Sequence, residues 1–301
     1  MKQKSNLQYS SWLVVAVFIL PSLFGFLLFM AIPMFAALGI SLTNFSGGAN
    51  FRFIGFTNYI DAFRSADFIK YLFNTFKFTF WTVLLQLSLG LAFALLLNEK
   101  MFGRNFYRGT MFLPNVLSSV AVGLVFSLIF DPKQGPINQY LVSLGLPAPL
   151  WLAGEKTALL TIIMVTVWQN FGYYMVLFLG GLQTISTSLY EAAAMDGAGP
   201  FRRFMSVTLP GLSPILFFSI TIAIIRAFQV FDQVFVMTGG QRGGGPAGAT
   251  TVLVFDIYKS GFSQFRFGYA AAESVILLII VLAVTLVQQQ GQKRWVTYDV
   301  V

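Results

Sequence analysis

The chain has 301 residues, of which 56% are hydrophobic and only 10% are charged, and its formal net charge is +8. Soluble domains carry about 25% charged residues, and a soluble core cannot absorb this much apolar surface, so we expect an all-α polytopic membrane protein in a lipid bilayer. The sequence holds no Cys and no His, which excludes disulfides, thiol nucleophiles, histidine bases and the usual zinc sites. The sequence contains no basic face with interleaved aromatic residues, the pattern that would indicate binding of nucleic acid.

About six apolar stretches are long enough to cross a hydrocarbon core, which takes ~20 helical residues. In chain order they cover residues 12–40, 71–97, 111–130, 157–182, 212–237 and 269–287, within one transmembrane domain over residues 1–301. The first is roughly twice as long as the ~7–15-residue apolar core of a signal peptide, so we expect a retained membrane helix, started or kinked at Pro21 and interrupted at Pro33. An even number of spans puts both termini on one side, and the density of Lys and Arg near the span ends favours the inside.

Polar side chains lie in the middle of the fourth stretch, where an amide or hydroxyl group is costly in hydrocarbon and therefore indicates function. The residues that follow the i, i+3, i+4, i+7 pattern of one helix face are Thr166, Gln169, Asn170 and Tyr173, with Tyr174 beside them. Amides and hydroxyls bond sugar hydroxyls and a ring stacks on a sugar, so this face is a candidate substrate pathway. Hydrogen bonding between neighbouring helices explains the same residues, and both interpretations stay open.

The fifth stretch contains charged groups at helical spacing. Arg226, Gln229 and Asp232 are three residues apart and share a face if the helix is continuous. They form either a pathway or gate network or a structural ion pair buried in the bundle. Other polar residues in the stretches are Ser118, Ser119 and Glu273, which are further candidates for the pathway, and Gln86 and Ser88, which are interpreted as packing.

A glycine-rich segment, residues 238–251, follows the fifth stretch. It lacks the Gly-Lys-Ser/Thr ending of a phosphate-binding loop. We interpret it as a flexible outer loop in preference to a substrate gate.

The most polar run in the middle of the chain joins the fourth and fifth stretches, over residues 183–211. Ser188 lies three residues before Glu191, the spacing of a capping box that starts a helix. Gly197 can end that helix, because glycine accepts the left-handed conformation. Pro200 is placed to open a second helix at its first turn. The pattern predicts a helix–turn–helix elbow at the membrane surface.

The elbow resembles the EAA loop of the permeases of ABC importers. The matching positions are Glu191, Ala192, Ala193, Gly197, Val207, Leu209 and Pro210, with Val in a slot that usually holds Ile. The stretches FLPNVLSSV, FQVFD and GGP are similar to carbohydrate-type permeases of the maltose and glycerol-3-phosphate family. The resemblance implies the type I, MetI-like fold with a cytoplasmic EAA loop. It also implies import of a sugar or related polyol that a solute-binding protein delivers.

In this family two permease subunits, usually unlike, work with two ABC ATPase subunits that hold ATP and Mg, so we expect a heterodimer and a chain that binds no cofactor and hydrolyses nothing itself. The implied location is a bacterial or archaeal cytoplasmic membrane, with both termini cytoplasmic. The residues expected to couple the chain to the ATPase are Tyr190, Glu191, Ala192, Ala193, Asp196, Gly197, Arg202 and Arg203.

Two alternatives remain at this stage. The same fold can carry an amino acid, a polyamine or an anion, and Arg226 would suit an anion. A secondary transporter without an ATPase is the second alternative.

Overall fold

The computed structural model describes residues 12–49, 51–99, 101–240 and 243–295. By length and composition, five helices in these ranges can cross a membrane, or six if one bent helix pair counts as a single span. The β-pairing found there is a single isolated bridge between Thr43 and Phe53. Three of the lysines near the predicted span ends, Lys2, Lys4 and Lys100, lie outside the described residues, and the side on which the termini lie stays a prediction.

The first apolar stretch forms one continuous helix. Helix α1 (Trp12–Phe26) passes through a π-helical turn at Leu27–Ala31 into α2 (Ile32–Ile40). Pro33 sits in the first turn of α2, and the wide π turn directly before it accommodates the missing N–H and the bulk of the ring. The interruption expected at Pro33 is therefore a local widening. Large apolar side chains along this helix are mostly exposed, as a lipid-facing helix requires.

The centre of the bundle is a pair of long helices, α4 (Ala66–Asn98) and α8 (Ala158–Thr184), preceded by the short α3 (Thr57–Arg64). Early residues of both long helices share one apolar cluster and late residues share another, so the two helices run in the same direction. In α8, 61% of the most apolar window is buried, compared with 28% in α4. Helix α8 is thus the axis around which the other spans pack.

The third stretch is bent rather than straight. Helices α5 (Arg104–Val116) and α6 (Ser119–Ile129) meet at 95°, so no single helix covers residues 111–130. Pro114 removes a backbone donor near the end of α5, and Leu117 and Ser118 adopt extended conformations with ψ 145° and 129°. A short helix, α7 (Pro136–Ser143), lies in the following loop.

The elbow leads directly into the fifth span. Helices α9 (Thr187–Met195) and α10 (Pro200–Arg203) form the elbow, and α10 continues through a π turn at Phe204–Thr208 into α11 (Leu209–Phe228). Helix α11 ends at Phe228, and a separate short helix, α12 (Asp232–Met237), follows. The single helix expected over residues 212–237 is therefore broken.

The last part of the chain contains α13 (Leu253–Tyr258), a π turn at Lys259–Ser263 and the long α14 (Phe267–Trp295). The described part of the glycine-rich segment is held against α4 by hydrogen bonds. Lys70 donates a hydrogen bond to the carbonyl of Ala247, and the Asn74 amide donates to the carbonyls of Gly248 and Thr251. These bonds contradict the expectation of a flexible loop for residues 247–251, while Gln241 and Arg242 lie outside the described residues.

Candidate substrate cavity and surface elbow

A polar cavity of about 220 Å³ lies among α4, α8, α11 and α12. Its side chains combine hydroxyls, amides, a guanidinium, a carboxylate and aromatic rings, a set that suits a ligand rich in hydroxyl groups. The polar and aromatic lining residues are Phe78, Thr82, Gln86, Thr166, Asn170, Tyr174, Arg226, Gln229, Phe231, Asp232 and Gln233.

The predicted polar face of α8 is divided between the cavity and the packing of helices. Thr166, Asn170 and Tyr174 line the cavity. Gln169 is buried and donates a 3.1 Å hydrogen bond to the carbonyl of Leu117 at the α5–α6 bend. Tyr173 lies beside Arg226, whose guanidinium carbon is 4.8 Å from the centre of the ring. Cavity lining and helix packing therefore both account for residues of this face, and a substrate pathway stays a prediction.

Asn170 serves the cavity and the packing of helices at once. Its side-chain nitrogen donates to the carbonyl of Thr166 at 2.8 Å, and its side-chain oxygen accepts from Asn115 of α5 at 3.1 Å. The Thr166 hydroxyl in turn donates to the carbonyl of Ile162. These bonds fix the rotamer of Asn170, so the group presented to the cavity is pre-positioned.

Arg226, Gln229 and Asp232 all line the cavity, although the helix break at Phe228 removes the continuous face that was expected for them. Arg226 is on the last turn of α11, Gln229 follows it, and Asp232 begins α12. A further amide, Gln233, lines the cavity. The sequence analysis did not single it out, although its i+7 spacing from Arg226 places it on the same face of a continuous helix.

Helix α4 contributes cavity residues that sequence reasoning missed. Gln86 was interpreted as packing, but it lines the cavity, as does Thr82. The hydroxyl of Thr82 is buried and has no hydrogen-bond partner among the described residues. The pattern of Thr79, Thr82 and Gln86 at i, i+3 and i+7 was the available signal. Ser119, by contrast, is the first residue of α6 at the α5–α6 bend and is not among the cavity's lining residues.

The elbow has the predicted shape with a different start. The residue that caps α9 is Ser186, whose hydroxyl accepts from the backbone N–H of Ser188 at 3.3 Å. The capping box from Ser188 to Glu191 is therefore wrong, because the chain becomes helical two residues earlier than that box requires. Gly197 follows the helix with φ +72°, and the backbone N–H of Ala198 closes the end on the carbonyl of Ala193 at 2.9 Å. Pro200 opens α10.

Some elbow residues stabilise its structure through internal contacts, and others are exposed on its surface. The Tyr190 hydroxyl lies 3.0 Å from the Thr208 hydroxyl, Ala193 packs against the core, and the Arg203 guanidinium donates to the carbonyl of Ala198 at 2.7 Å. The exposed members are Glu191, Ala192, Asp196, Gly197 and Arg202, together with Met195 at 90% and Phe201 at 73% exposure. The elbow thus presents two large apolar side chains amid polar ones, the composition of a protein-binding surface.

A bundle of five or six spans with this elbow and this cavity is typical of a membrane permease of the ABC-transporter type. The chain belongs to the family described as binding-protein-dependent transport system inner membrane component, whose model matches residues 86–296. The resemblance found in the sequence is therefore confirmed, and the protein is a multi-pass transport component that works with a binding protein.

Relatives from several microorganisms match almost the whole chain. A trehalose/maltose transport system permease of Thermococcus litoralis is 34% identical, covering 94% of this chain and 95% of the relative. An sn-glycerol-3-phosphate transport system permease of Yersinia pestis is 32% identical, with coverages of 96% and 97%. An arabinooligosaccharides transport system permease of Bacillus subtilis is 31% identical, with coverages of 94% and 89%.

A solved structure confirms the fold. A chain of a bacterial alginate ABC transporter, in complex with an alginate pentasaccharide-bound periplasmic protein, superposes with a TM-score of 0.82 at 24% identity, covering 94% of each chain.

Proposed function

We propose that this chain is the membrane-spanning subunit of an ATP-driven importer that carries a sugar or related polyol delivered by a solute-binding protein. The observation that carries the proposal is the polar cavity in the membrane core, in a chain whose relatives at 31–34% identity are permeases for arabinooligosaccharides, trehalose/maltose and glycerol-3-phosphate. A sugar offers many hydroxyl groups, and the cavity supplies matching donors, acceptors and rings.

The substrate contacts come from three helices. Thr82 and Gln86 of α4 and Asn170 of α8 face the solute with neutral polar groups, and Tyr174 supplies an aromatic wall. Arg226 of α11 offers donors that bind either a hydroxyl or an anionic group. Thr166 and Gln229 complete the pathway, whereas Gln169 and Tyr173 position their neighbours, and Ser119 has no direct contact with the solute.

Coupling to ATP runs through the elbow. The apolar side chains of Met195 and Phe201 and the exposed Glu191, Asp196 and Arg202 dock on a separate ATPase subunit, which holds ATP and Mg. The helix from Pro200 to Phe228 is unbroken, so a displacement of the elbow is carried to Arg226 at its far end. Closure of the ATPases thereby reshapes the cavity, and this chain hydrolyses nothing itself.

These roles imply the subunit composition of the complete transporter. Two ATPases bind the elbows of two permease subunits, this chain and an unlike partner, and the binding protein docks on the opposite side of a bacterial or archaeal cytoplasmic membrane. The elbow is cytoplasmic, as are both termini.

The test is uptake of radiolabelled saccharides and polyols into proteoliposomes that contain the purified complex and its binding protein. We expect uptake of a saccharide or polyol that requires enclosed ATP. Uptake without ATP would overturn the proposal in favour of a secondary transporter. ATP-dependent uptake confined to amino acids, polyamines or inorganic anions would overturn its sugar component.

A further inference from the structure

A second polar pocket, of about 130 Å³, shares no lining residue with the substrate cavity. It is lined by the start of α4, by α13 and the π turn after it, and by the start of α14. Because α4 and α8 run in the same direction and α8 ends at the elbow, the start of α4 is at the opposite end of the bundle. Asp256 of α13 lines this pocket.

Directly behind Asp256 is a glutamate that has no access to solvent. Glu273 of α14 is 0% exposed, and both of its carboxylate oxygens lack a hydrogen-bond donor among the described residues. The groups that face it are the carboxyl of Asp256, itself 9% exposed, and the hydroxyl of Ser260. An isolated buried carboxylate is among the most costly groups a protein can contain, so this arrangement demands an explanation.

The surrounding charges do not neutralise the pair. The groups that face the two carboxyls are Asp67 and Tyr71 of α4, Lys259 after α13, and Arg266 and Tyr269 by the start of α14, and Asp61 of α3 faces Tyr269 in turn. The Arg266 guanidinium stacks over the ring of Tyr269, 4.2 Å from its centre, at the exposed edge of the pocket. Counting the pair itself, acids outnumber bases in this region by four to two.

Burial raises the pKa of Asp256, and nearby Asp67 raises it further, although Glu273, Lys259 and Arg266 act in the opposite direction. Two carboxyl groups within interaction distance in a low-dielectric site do not both ionise, because the like charges repel and neither is hydrated. One proton shared between them turns this repulsion into a hydrogen bond from a carboxyl O–H to a carboxylate, which is short and strong.

We propose that Asp256 and Glu273 form a buried proton-binding pair that joins α13 to the last span and exchanges its proton through the pocket beside Asp256. The bound proton makes Glu273 a hydrogen-bond donor to the carboxylate of Asp256. Its loss at alkaline pH leaves two adjacent anions between α13 and α14 and loosens this junction. The inference concerns the joint between these helices and is independent of which solute the cavity carries.

The sign of the pH dependence follows from proton linkage. The folded chain retains a proton that the unfolded chain releases above about pH 4, the ordinary range of a carboxyl group. Stability contributed by the pair is therefore complete at acidic pH and falls as pH rises, until the pair itself ionises. A glutamine at position 273 donates the missing hydrogen bond without a proton, so Glu273→Gln removes this dependence.

The first measurement is the infrared spectrum of the full chain, purified with its accompanying subunits, at about pH 7. We expect the carbonyl band of a protonated carboxyl group that is lost in Glu273→Gln and displaced in Asp256→Asn, where an amide replaces the acceptor. Glu155→Gln, the same change at an exposed glutamate, serves as the control and should leave the band unchanged. The proposal would be overturned if the difference spectrum of wild type minus Glu273→Gln showed no such band. A band that Asp256→Asn leaves unaffected would also overturn it.

The second measurement is the thermal unfolding temperature of wild type, Glu273→Gln and Glu155→Gln between about pH 6 and about pH 9. We expect the Tm of Glu273→Gln to rise relative to wild type with each unit of pH, and the Glu155→Gln curve to stay parallel to wild type. A Glu273→Gln curve parallel to wild type would show that Glu273 is ionised throughout, and would exclude a shared proton.

Discussion

The side-chain amide of Gln233 donates a 2.9 Å hydrogen bond to the side-chain oxygen of Gln169, and both residues are buried. The side-chain amide of Gln169 in turn donates a hydrogen bond to the carbonyl of Leu117. One pair of glutamines therefore ties together the two places where the spans depart from straight helices, the α5–α6 bend and the α11–α12 break. The tie lies at the wall of the substrate cavity, since Gln233 also lines it.

Replacing Gln169 by Leu should destabilise the permease. The substitution leaves the carbonyl of Leu117 and the amide of Gln233 without their partner, and an unsatisfied buried polar group costs about 1–3 kcal/mol. We expect a lower Tm for the purified complex. Gln183→Leu, at an exposed position near the end of the same helix, should leave the Tm nearly unchanged. Equal effects of the two substitutions would contradict the role assigned to the glutamine pair.

Gly172 permits the closest approach between α5 and α8. A Cβ atom at this position would lie 1.9 Å from the carbonyl oxygen of Met111, a backbone atom that cannot move aside independently. Gly172→Ala should therefore force the helices apart, at a cost of at least ~1–3 kcal/mol. Gly180, on the same helix, has no atom within 4 Å of such a Cβ, so Gly180→Ala is the matched control. Thermal unfolding of both variants is the measurement, and a Gly172→Ala variant as stable as Gly180→Ala would refute the contact.

Gly197 should be essential to the elbow for conformational reasons alone. Its φ is +72°, yet a Cβ there would meet no atom within 4 Å. A β-branched residue is strained in this region, whereas Asn adopts it readily. We expect Gly197→Val to lower the amount of ATPase that co-purifies with the permease, and Gly197→Asn to retain most of it. Loss in both variants would point to a requirement for an open surface instead of a left-handed backbone.

The unpartnered hydroxyl of Thr82 should contact the solute. Thr82→Val keeps the shape of the side chain and removes one hydrogen bond, which is worth ~0.5–1.5 kcal/mol, so transport at limiting solute should fall roughly 2- to 10-fold. Thr79 is the control, because its hydroxyl is also buried and has no partner within the described part of the chain, but the residue borders an apolar groove among α4, α11 and α14. Thr79→Val should transport at the wild-type rate. Equal rates for Thr82→Val and wild type would remove Thr82 from the pathway.

Local chemistry was sufficient to predict the elbow. Gly197 and Pro200 fix its turn through their own backbone preferences, and the structure places both where the pattern indicated. Only the N-cap of α9 differs from the prediction, being Ser186 and not Ser188. Both serines are able to start a helix, and sequence alone does not rank them.

The cavity was harder to predict, because it depends on contacts between distant parts of the chain. No Pro or Gly follows Phe228 to signal the end of α11, and the break is stabilised by Gln233 meeting Gln169. Gln86 was assigned to packing, although Thr79 and Thr82 share its helix face. The packing of α8 and α11 against α4 determines which face of α4 borders the polar cavity, and the sequence of α4 alone does not.

The measurement that most directly tests the central claim is the composition of the complex isolated with the tagged chain from its native membranes. We expect an ABC ATPase and a second, unlike permease in a fixed ratio with this chain, and loss of the ATPase in Gly197→Val. Isolation of this chain alone, or only with copies of itself, would contradict an ATP-coupled importer subunit that works through the elbow.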